Sequence, residues 1–162
     1  MKHAILKAFV TGTVALATPV SAMAQNDSAS QSADIDALIA RMTLDEKIGQ
    51  LVQRMGGRSK SLNSRLGPEE LDKVRRGEVG SYLHVAGADA LRELQRVAVE
   101  ESRLGIPLLF SMDVVHGYRT IFPVPLAMAA SWDPEVAERH ARIAATEASA
   151  AGLHWTFAPM VD

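Results

Sequence analysis

The sequence predicts an α/β fold in which short apolar strands alternate with amphipathic helices. Three apolar segments, Val79–Val85, Ile106–Met112 and His154–Val161, are separated by stretches with helical periodicity. This alternation is typical of parallel βαβ units with right-handed crossovers, in either an open doubly wound sheet or a closed barrel. The local pattern does not choose between the two. No glycine-rich phosphate loop follows a strand, however, which counts against a dinucleotide-binding sheet.

The N-terminal residues 1–24 have the three-part organisation of a secretory signal peptide. A positively charged start precedes an apolar run from Ala8 to Ala17, and Ala22-Met23-Ala24 supplies small residues for cleavage. The apolar run is shorter than the roughly 20 residues that span a bilayer. We therefore expect cleavage before Gln25, a periplasmic or secreted product, and a flexible polar leader over residues 25–32.

Composition limits the classes of partner. The chain of 162 residues contains no cysteine and has a net charge of −2. It therefore has no disulfides despite the expected export, and no basic surface for nucleic acid or an anionic membrane. After signal cleavage the remaining length is enough for one modest domain, and we expect neither nucleic acid nor membrane as a partner.

The first helices are predicted from periodicity and capping. Residues 33–42 carry apolar side chains at helical spacing, and Thr43-Leu-Asp-Glu46 has the form of a capping box. The capping box predicts a second helix with an apolar face that continues to Met55, where Gly56-Gly57 would end it.

Three more helices follow from their end signals. Pro68 opens a short helix that Gly77 closes, and Ala88–Leu104 is a longer helix closed by Gly105. Asp133-Pro134 begins another, which runs to about Gly152. The connection over residues 114–132 is long, and its two prolines favour an extended chain, as in the loops on which barrels build their sites.

Two aspartates directly follow predicted strands, Asp113 after Ile106–Met112 and Asp162 near the end of the chain. Ligands of α/β proteins bind beyond the carboxyl ends of parallel strands, so these positions favour chemistry. Three functional hypotheses remain open. Asp113 binds sugar hydroxyls, or forms a glycosidase carboxylate pair with Asp162, or joins His116 as a metal ligand. The structural alternative is a carboxylate that caps a loop.

The remaining candidates favour structural roles. His116 precedes the turn residue Gly117 and is more typical of a loop anchor, and no HxH or HExxH spacing supports a metal site. We interpret three further histidines, His84, His140 and His154, as packing or surface residues. Trp132 and Trp155 could stack on a sugar face, but tryptophans that enter a helix or a strand more often belong to the core, so we interpret both as core residues.

Several blocks of the chain together resemble a known family. They are Arg41–Leu51, Val79–Leu83, Leu91–Gln95, Gly105-Ile-Pro, Asp113-Val-Val-His-Gly117, Phe122–Leu126, Ala130–Asp133 and Phe157–Asp162. In this order they resemble the N-terminal part of glycoside hydrolase family 3, on the branch of periplasmic or secreted β-glucosidases. Relatives that cleave N-acetylglucosaminides tend to have two glycines where this chain has His116-Gly117, which favours the glucosidase side.

The resemblance implies a TIM-type (β/α) barrel, of which residues 33–162 would be a truncated N-terminal fragment with about three βα units. It implies that Asp113 binds hydroxyls of the terminal sugar, with His116 and Asp162 as support for the site loop. It also argues against the carboxylate pair. The family's nucleophilic aspartate and its acid/base glutamate would lie beyond Asp162, so no catalytic residue is expected in this chain.

The implied parent protein is a retaining exo-β-glycosidase that acts on a β-glucoside or oligosaccharide without metal or cofactor. The fragment alone is expected to be inactive. Two alternatives remain, a carbohydrate-binding remnant without catalysis and a different, metal-dependent barrel hydrolase.

Overall fold

A computed structural model describes residues 34–56 and 67–159. In chain order its elements are α1 (34–41), α2 (Leu44–Leu51), β1 (Gln53–Met55), α3 (Pro68–Arg75), β2 (Ser81–Leu83), α4 (Ala88–Arg96), β3 (Leu109–Met112), α5 (Pro125–Ala129), α6 (Pro134–Ala150) and β4 (Trp155–Thr156). The chain divides after Arg41 into two units, and the second unit contains the sheet.

The four strands form one parallel sheet in the order β1-β2-β3-β4. Each strand therefore pairs with its neighbour in sequence, and every connection contains a helix: α3 before β2, α4 before β3, and α5 and α6 before β4. An open doubly wound sheet reverses its order at a switch point, whereas a barrel wall winds in one direction. The unreversed order confirms the prediction of a barrel-type α/β fold, with three βα units followed by β4.

The prediction that the second helix continues to Met55 is wrong, because residues Gln53–Met55 form strand β1. Helix α2 ends at Leu51, and Val52 is extended with φ −85° and ψ 119°. The Val52 carbonyl accepts hydrogen bonds of 3.2 Å from the amides of Gly80 and Ser81. Pairing with β2 therefore overrides a helical periodicity that a short strand also satisfies.

Two further differences concern the helices. Pro125 does not hold the long connection extended; it is the first residue of the short helix α5, where its missing amide hydrogen costs nothing. The helix predicted over Ala88–Leu104 changes geometry after Arg96 and continues as a π-helical turn, Val97–Glu101. The predicted capping box at Thr43 and the Asp133 cap are both confirmed.

The core lies on one face of the sheet. Tyr82 and Phe110 are register partners on neighbouring strands, and both side chains are buried among residues of the surrounding helices such as Leu94 and Ala144. On the opposite face, Leu109 is 51% exposed and Trp155 46% exposed. Side chains alternate between the two faces of a strand, so this second face is the one that points inward when such a sheet closes into a barrel.

Some predictions fall on residues that the structure does not describe. They are the signal peptide 1–24, the leader 25–32 and Asp162. Within residues 34–56 and 67–159, no helix has the length and apolar character needed to cross a membrane.

Candidate functional site

The carboxyl edge of the sheet carries a histidine and an aspartate on neighbouring strands. His84 directly follows β2 and Asp113 directly follows β3. His84 Nε2 lies 2.9 Å from Asp113 Oδ2, and the two side chains are 35% and 50% exposed. The edge therefore presents an imidazole–carboxylate pair that is open to a ligand.

The backbone around His84 is fixed from both sides. Its amide donates to the carbonyl of Ser111 over 3.0 Å, which continues the ladder between β2 and β3. On the other side, the Gly56 amide donates to the Leu83 carbonyl over 2.6 Å. His84 itself has φ 60°, a left-handed conformation that ends the strand and brings the ring beside Asp113.

The position of Asp113 is set by its neighbours in the chain. The Met112 carbonyl accepts from the Phe157 amide over 3.4 Å, and the Val114 amide donates to Thr156 Oγ1 over 3.2 Å. Pairing of β3 with β4 thus holds the residues on both sides of Asp113.

Beneath the pair, Ser111 is fully buried with its hydroxyl satisfied. Ser111 Oγ donates to the Tyr82 carbonyl over 3.1 Å and accepts from Gln53 Nε2 over 3.2 Å. The hydroxyl therefore joins β1, β2 and β3 below the site edge, and it avoids the cost of an unpaired buried polar group.

His116 anchors the loop that follows Asp113. Its Nδ1 lies 3.1 Å from the Phe122 carbonyl, which can only accept, and the Phe122 amide donates to the His116 carbonyl over 2.8 Å. Between them Gly117 has φ 113°, and a Cβ there would stand 1.9 Å from the Thr120 carbonyl oxygen. Only glycine fits this turn.

Helix α6 fixes the same loop through one carboxylate. Glu147 accepts from the amides of Arg119 and Thr120, both over 2.8 Å, and from Thr120 Oγ1 over 2.6 Å. The hydroxyl bond from Thr120, followed by the two amide bonds, lowers the pKa of Glu147. The loop is thereby tied to the helix that precedes β4.

The metal hypothesis gains no third ligand from the part of the chain that the structure describes. Within it, no group of three His, Asp or Glu side chains is placed to hold an ion. Asp113 is paired with His84, and His116 with a backbone carbonyl. Asp162, the partner in the carboxylate-pair hypothesis, lies outside the described residues.

Three aromatic side chains in the last part of the described chain are more exposed than core residues would be. Trp155 and Phe157 stack with ring centroids 4.6 Å apart and are 46% and 37% exposed. Trp132, just before α6, has φ 54° and is 92% exposed. The interpretation of the two tryptophans as core residues is thus wrong within the described chain.

Sequence reasoning missed His84. It was interpreted as a packing or surface residue, although it follows a strand just as Asp113 does. The signal was available in principle, because both residues occupy the first position after a parallel strand. What concealed it was the prediction that the strand continues to Val85, which places His84 inside the strand.

The geometry can be compared with known proteins. Residues 43–162 match the family description "Glycosyl hydrolase family 3 N terminal domain". A periplasmic β-glucosidase from Salmonella typhimurium is 39% identical over 127 residues, covering 77% of this chain and 16% of the relative. A putative β-xylosidase from Formosa agariphila is 30% identical over 146 residues, covering 79% of this chain and 19% of the relative.

Solved structures agree with the sequence relatives. A β-glucosidase from Listeria innocua in complex with isofagomine superposes with a TM-score of 0.66 at 37% identity, over 80% of this chain and 18% of that chain. The chain therefore spans less than a fifth of the length of these relatives. Because the family match extends over residues 43–162, which is most of the sequence, the chain belongs to glycosyl hydrolase family 3.

Proposed function

We propose that this chain is the N-terminal part of a retaining exo-β-glucosidase and that its carboxyl edge binds the terminal β-linked glucosyl unit. The observation that carries the proposal is Asp113. It lies at the carboxyl end of a parallel strand, its carboxylate is half exposed, and one oxygen is already engaged by His84. The second oxygen, Oδ1, is available to accept hydrogen bonds from sugar hydroxyls.

Relatives support this substrate class. Structures of the Listeria innocua β-glucosidase are described in complex with glucose and with laminaribiose. The Salmonella relative is named a β-glucosidase. Both are closer in sequence to this chain than a family 3 β-N-acetylglucosaminidase from Paenibacillus, which is 29% identical.

The reaction we propose is double displacement. An aspartate nucleophile attacks the anomeric carbon and expels the aglycone, which is protonated by a glutamic acid; water then releases the sugar with its configuration retained. Both carboxyl groups are proposed to lie beyond Asp162. The share of this chain is to hold the sugar's hydroxyls, and no metal or cofactor enters the proposed reaction.

We also propose the organisation of the chain and its location. Residues 1–24 would be a signal peptide, 25–32 a leader, and 33–162 the first part of the barrel domain. The protein would act in the periplasm or outside the cell, which the name of the Salmonella relative supports. The partner is the β-glucoside or oligosaccharide substrate, and nucleic acid and membrane are not proposed as partners.

The proposal is tested on a polypeptide that continues past Asp162 and contains the proposed catalytic carboxyl groups, called the longer polypeptide below. Its substrates are three matched aryl glycosides, a β-glucoside, a β-xyloside and an N-acetyl-β-glucosaminide. We expect the highest kcat/KM on the β-glucoside, and β-glucose as the first product seen by proton NMR. A higher kcat/KM on the β-xyloside would overturn the β-glucosidase proposal and favour the β-xylosidase activity named for the Formosa relative. First appearance of α-glucose would contradict the retaining mechanism, and no turnover of any substrate would support a carbohydrate-binding remnant.

A further inference from the structure

We propose that His84 is a positioning residue, which fixes the Asp113 carboxylate in the orientation that binds the sugar. The inference rests on the proposed function, because it concerns how Asp113 performs its role. It adds a residue on a second strand to the sugar-binding edge.

The direction of the hydrogen bond follows from the chemistry of the two groups. An ionised carboxylate only accepts hydrogen bonds, so His84 Nε2 must be the donor across the 2.9 Å to Asp113 Oδ2. This bond takes one oxygen of Asp113 and leaves Oδ1 for a ligand. It also restricts rotation about the terminal torsion of the aspartate, which is otherwise broad.

The imidazole is held on a rigid support. Backbone hydrogen bonds hold the chain on either side. The Gly56 amide donates to the Leu83 carbonyl over 2.6 Å, and the His84 amide donates to the Ser111 carbonyl over 3.0 Å. The strand β1 packs closely here, since a Cβ on Gly56 would lie 2.8 Å from the His84 carbonyl oxygen. The backbone that carries the ring is therefore held on one side by the chain directly after β1 and on the other side by β3.

The strained backbone conformation of His84 supports a functional role for its side chain. With φ 60° it occupies the left-handed region, which glycine adopts without strain. A glycine at this position would relieve the strain but could not bind Asp113. Within the described part of the chain, the side-chain hydrogen bond of His84 is the one to Asp113.

The strained backbone of His84 and its hydrogen bond to Asp113 allow a positioning role to be distinguished by mutation from a purely structural role. In the longer polypeptide, His84→Gly removes the hydrogen bond while easing the backbone, so a merely structural role predicts little loss of activity. His84→Gln keeps a side-chain donor of similar reach. His154→Gln is the matched control, because His154 directly precedes β4, at the amino end of that strand, where its Nδ1 accepts from the Phe110 amide over 3.3 Å.

We expect His84→Gly to lower kcat/KM on an aryl β-glucoside about tenfold to hundredfold, because one charge-assisted hydrogen bond that orients Asp113 is lost. Affinity for isofagomine, measured by calorimetry, should fall in parallel. His84→Gln should recover most of the loss, and His154→Gln should stay within about twofold of the parent. In an Asp113→Ala background, His84→Gly should cause no further loss.

The possible outcomes distinguish failure of the His84 inference from failure of the proposed function. If Asp113→Ala is impaired but His84→Gly stays within about twofold of the parent, His84 does not position Asp113 and the proposed function stands. Additive losses in the double variant would also overturn the inference. If the parent hydrolyses no β-glucoside, or Asp113→Ala retains parental kcat/KM, the proposed function fails and the role of His84 fails with it.

Discussion

The contacts of Asp113 engage one carboxylate oxygen, Oδ2, and leave the other, Oδ1, for the proposed sugar ligand. Its neighbours in the chain are bonded to β4, His84 engages Oδ2, and the side chain stays 50% exposed. In the proposed function, a carboxylate held in this way is oriented before the sugar binds, so little binding energy is lost in orienting it.

The first prediction concerns Asp113 in the longer polypeptide. Two charge-assisted contacts to sugar hydroxyls at about 1.5–3 kcal/mol each predict that Asp113→Ala lowers kcat/KM about a hundredfold to ten-thousandfold. Asp113→Asn should be less impaired, since the amide keeps one acceptor oxygen. Steady-state kinetics beside thermal unfolding provides the check. Near-parental kcat/KM with a lowered melting temperature would make Asp113 a loop cap.

At the residue scale, the sequence allowed Asp113 to be predicted and concealed its partner. The position of Asp113 at the end of β3 could be predicted, because a carboxylate directly after an apolar run is typical of the carboxyl end of a parallel strand. His84 could not be paired with it from sequence, because the pairing depends on the register of β2 against β3 and on a left-handed φ that has no strong signal in a histidine.

The elements are joined by two carboxylates that each connect distant segments. Glu46 closes the capping box of α2 through Thr43 and also binds Arg103 beyond the π-helical turn. Glu147 connects α6 to the loop after β3. Each carboxylate therefore stabilises the packing between segments that are not adjacent in the sequence.

The second prediction concerns pH and the Glu46–Arg103 pair. The hydrogen bond from Arg103, then the Thr43 amide, lowers the pKa of Glu46 from 4.5 to about 2. A depressed carboxylate pKa stabilises the fold above pH 4.5, and the contribution is lost as the pH falls from there towards 2. Arg103→Met should therefore lower the melting temperature at pH 7, by an amount that shrinks below pH 4.5.

Thermal unfolding of the longer polypeptide across this pH range is the measurement. Arg142→Met is the matched control, because Arg142 pairs with Glu138 on the exposed face of α6 and such pairs contribute little. An Arg103→Met effect that persists unchanged at pH 2.5 would show that lost packing, rather than the ion pair, is responsible.

The third prediction concerns the loop held by Glu147. Glu147→Ala removes the acceptor of the Arg119 and Thr120 amides and so frees the loop. The exposed peptide bond between Arg119 and Thr120 should then become accessible to trypsin. We expect faster cleavage after Arg119 in the longer polypeptide, identified by mass spectrometry. Glu138→Ala on the same helix serves as control and should leave the rate unchanged. Equal rates in both variants would show that other contacts hold the loop.

At the element scale, end signals predicted helices better than periodicity predicted strands. The caps at Thr43 and Asp133 lie where the sequence placed them, because capping is a local interaction. Strand β1 was missed, because its three residues are defined by pairing with β2 and not by their own pattern. Non-local pairing is the part that a single sequence does not display.

Within residues 34–56 and 67–159, one face of the sheet is covered by helices and the other exposes large apolar side chains. The covered face holds the buried core, while Leu109, Trp155 and Met55 on the other face are 51%, 46% and 62% exposed. Apolar exposure of this extent on a four-stranded sheet is a liability for a protein on its own. It supports the proposal that further strands close the barrel.

The fourth prediction follows for residues 25–162 produced alone. Because the described residues expose large apolar side chains on the inner sheet face, this polypeptide should bind the dye ANS strongly, aggregate as its concentration rises and show no cooperative thermal transition. Calorimetry of the purified monomer is the check. A sharp transition would indicate a self-contained open-sheet domain.

The central claim is that this chain binds the sugar while the carboxylates that break the glycosidic bond lie elsewhere. Hydrolysis of an aryl β-glucoside by the longer polypeptide and by residues 25–162 alone, at equal concentration, tests this claim most directly. The account predicts turnover by the longer polypeptide and none above the buffer blank by residues 25–162. Turnover by residues 25–162 that disappears in Asp162→Ala would contradict it and restore the carboxylate pair of Asp113 and Asp162.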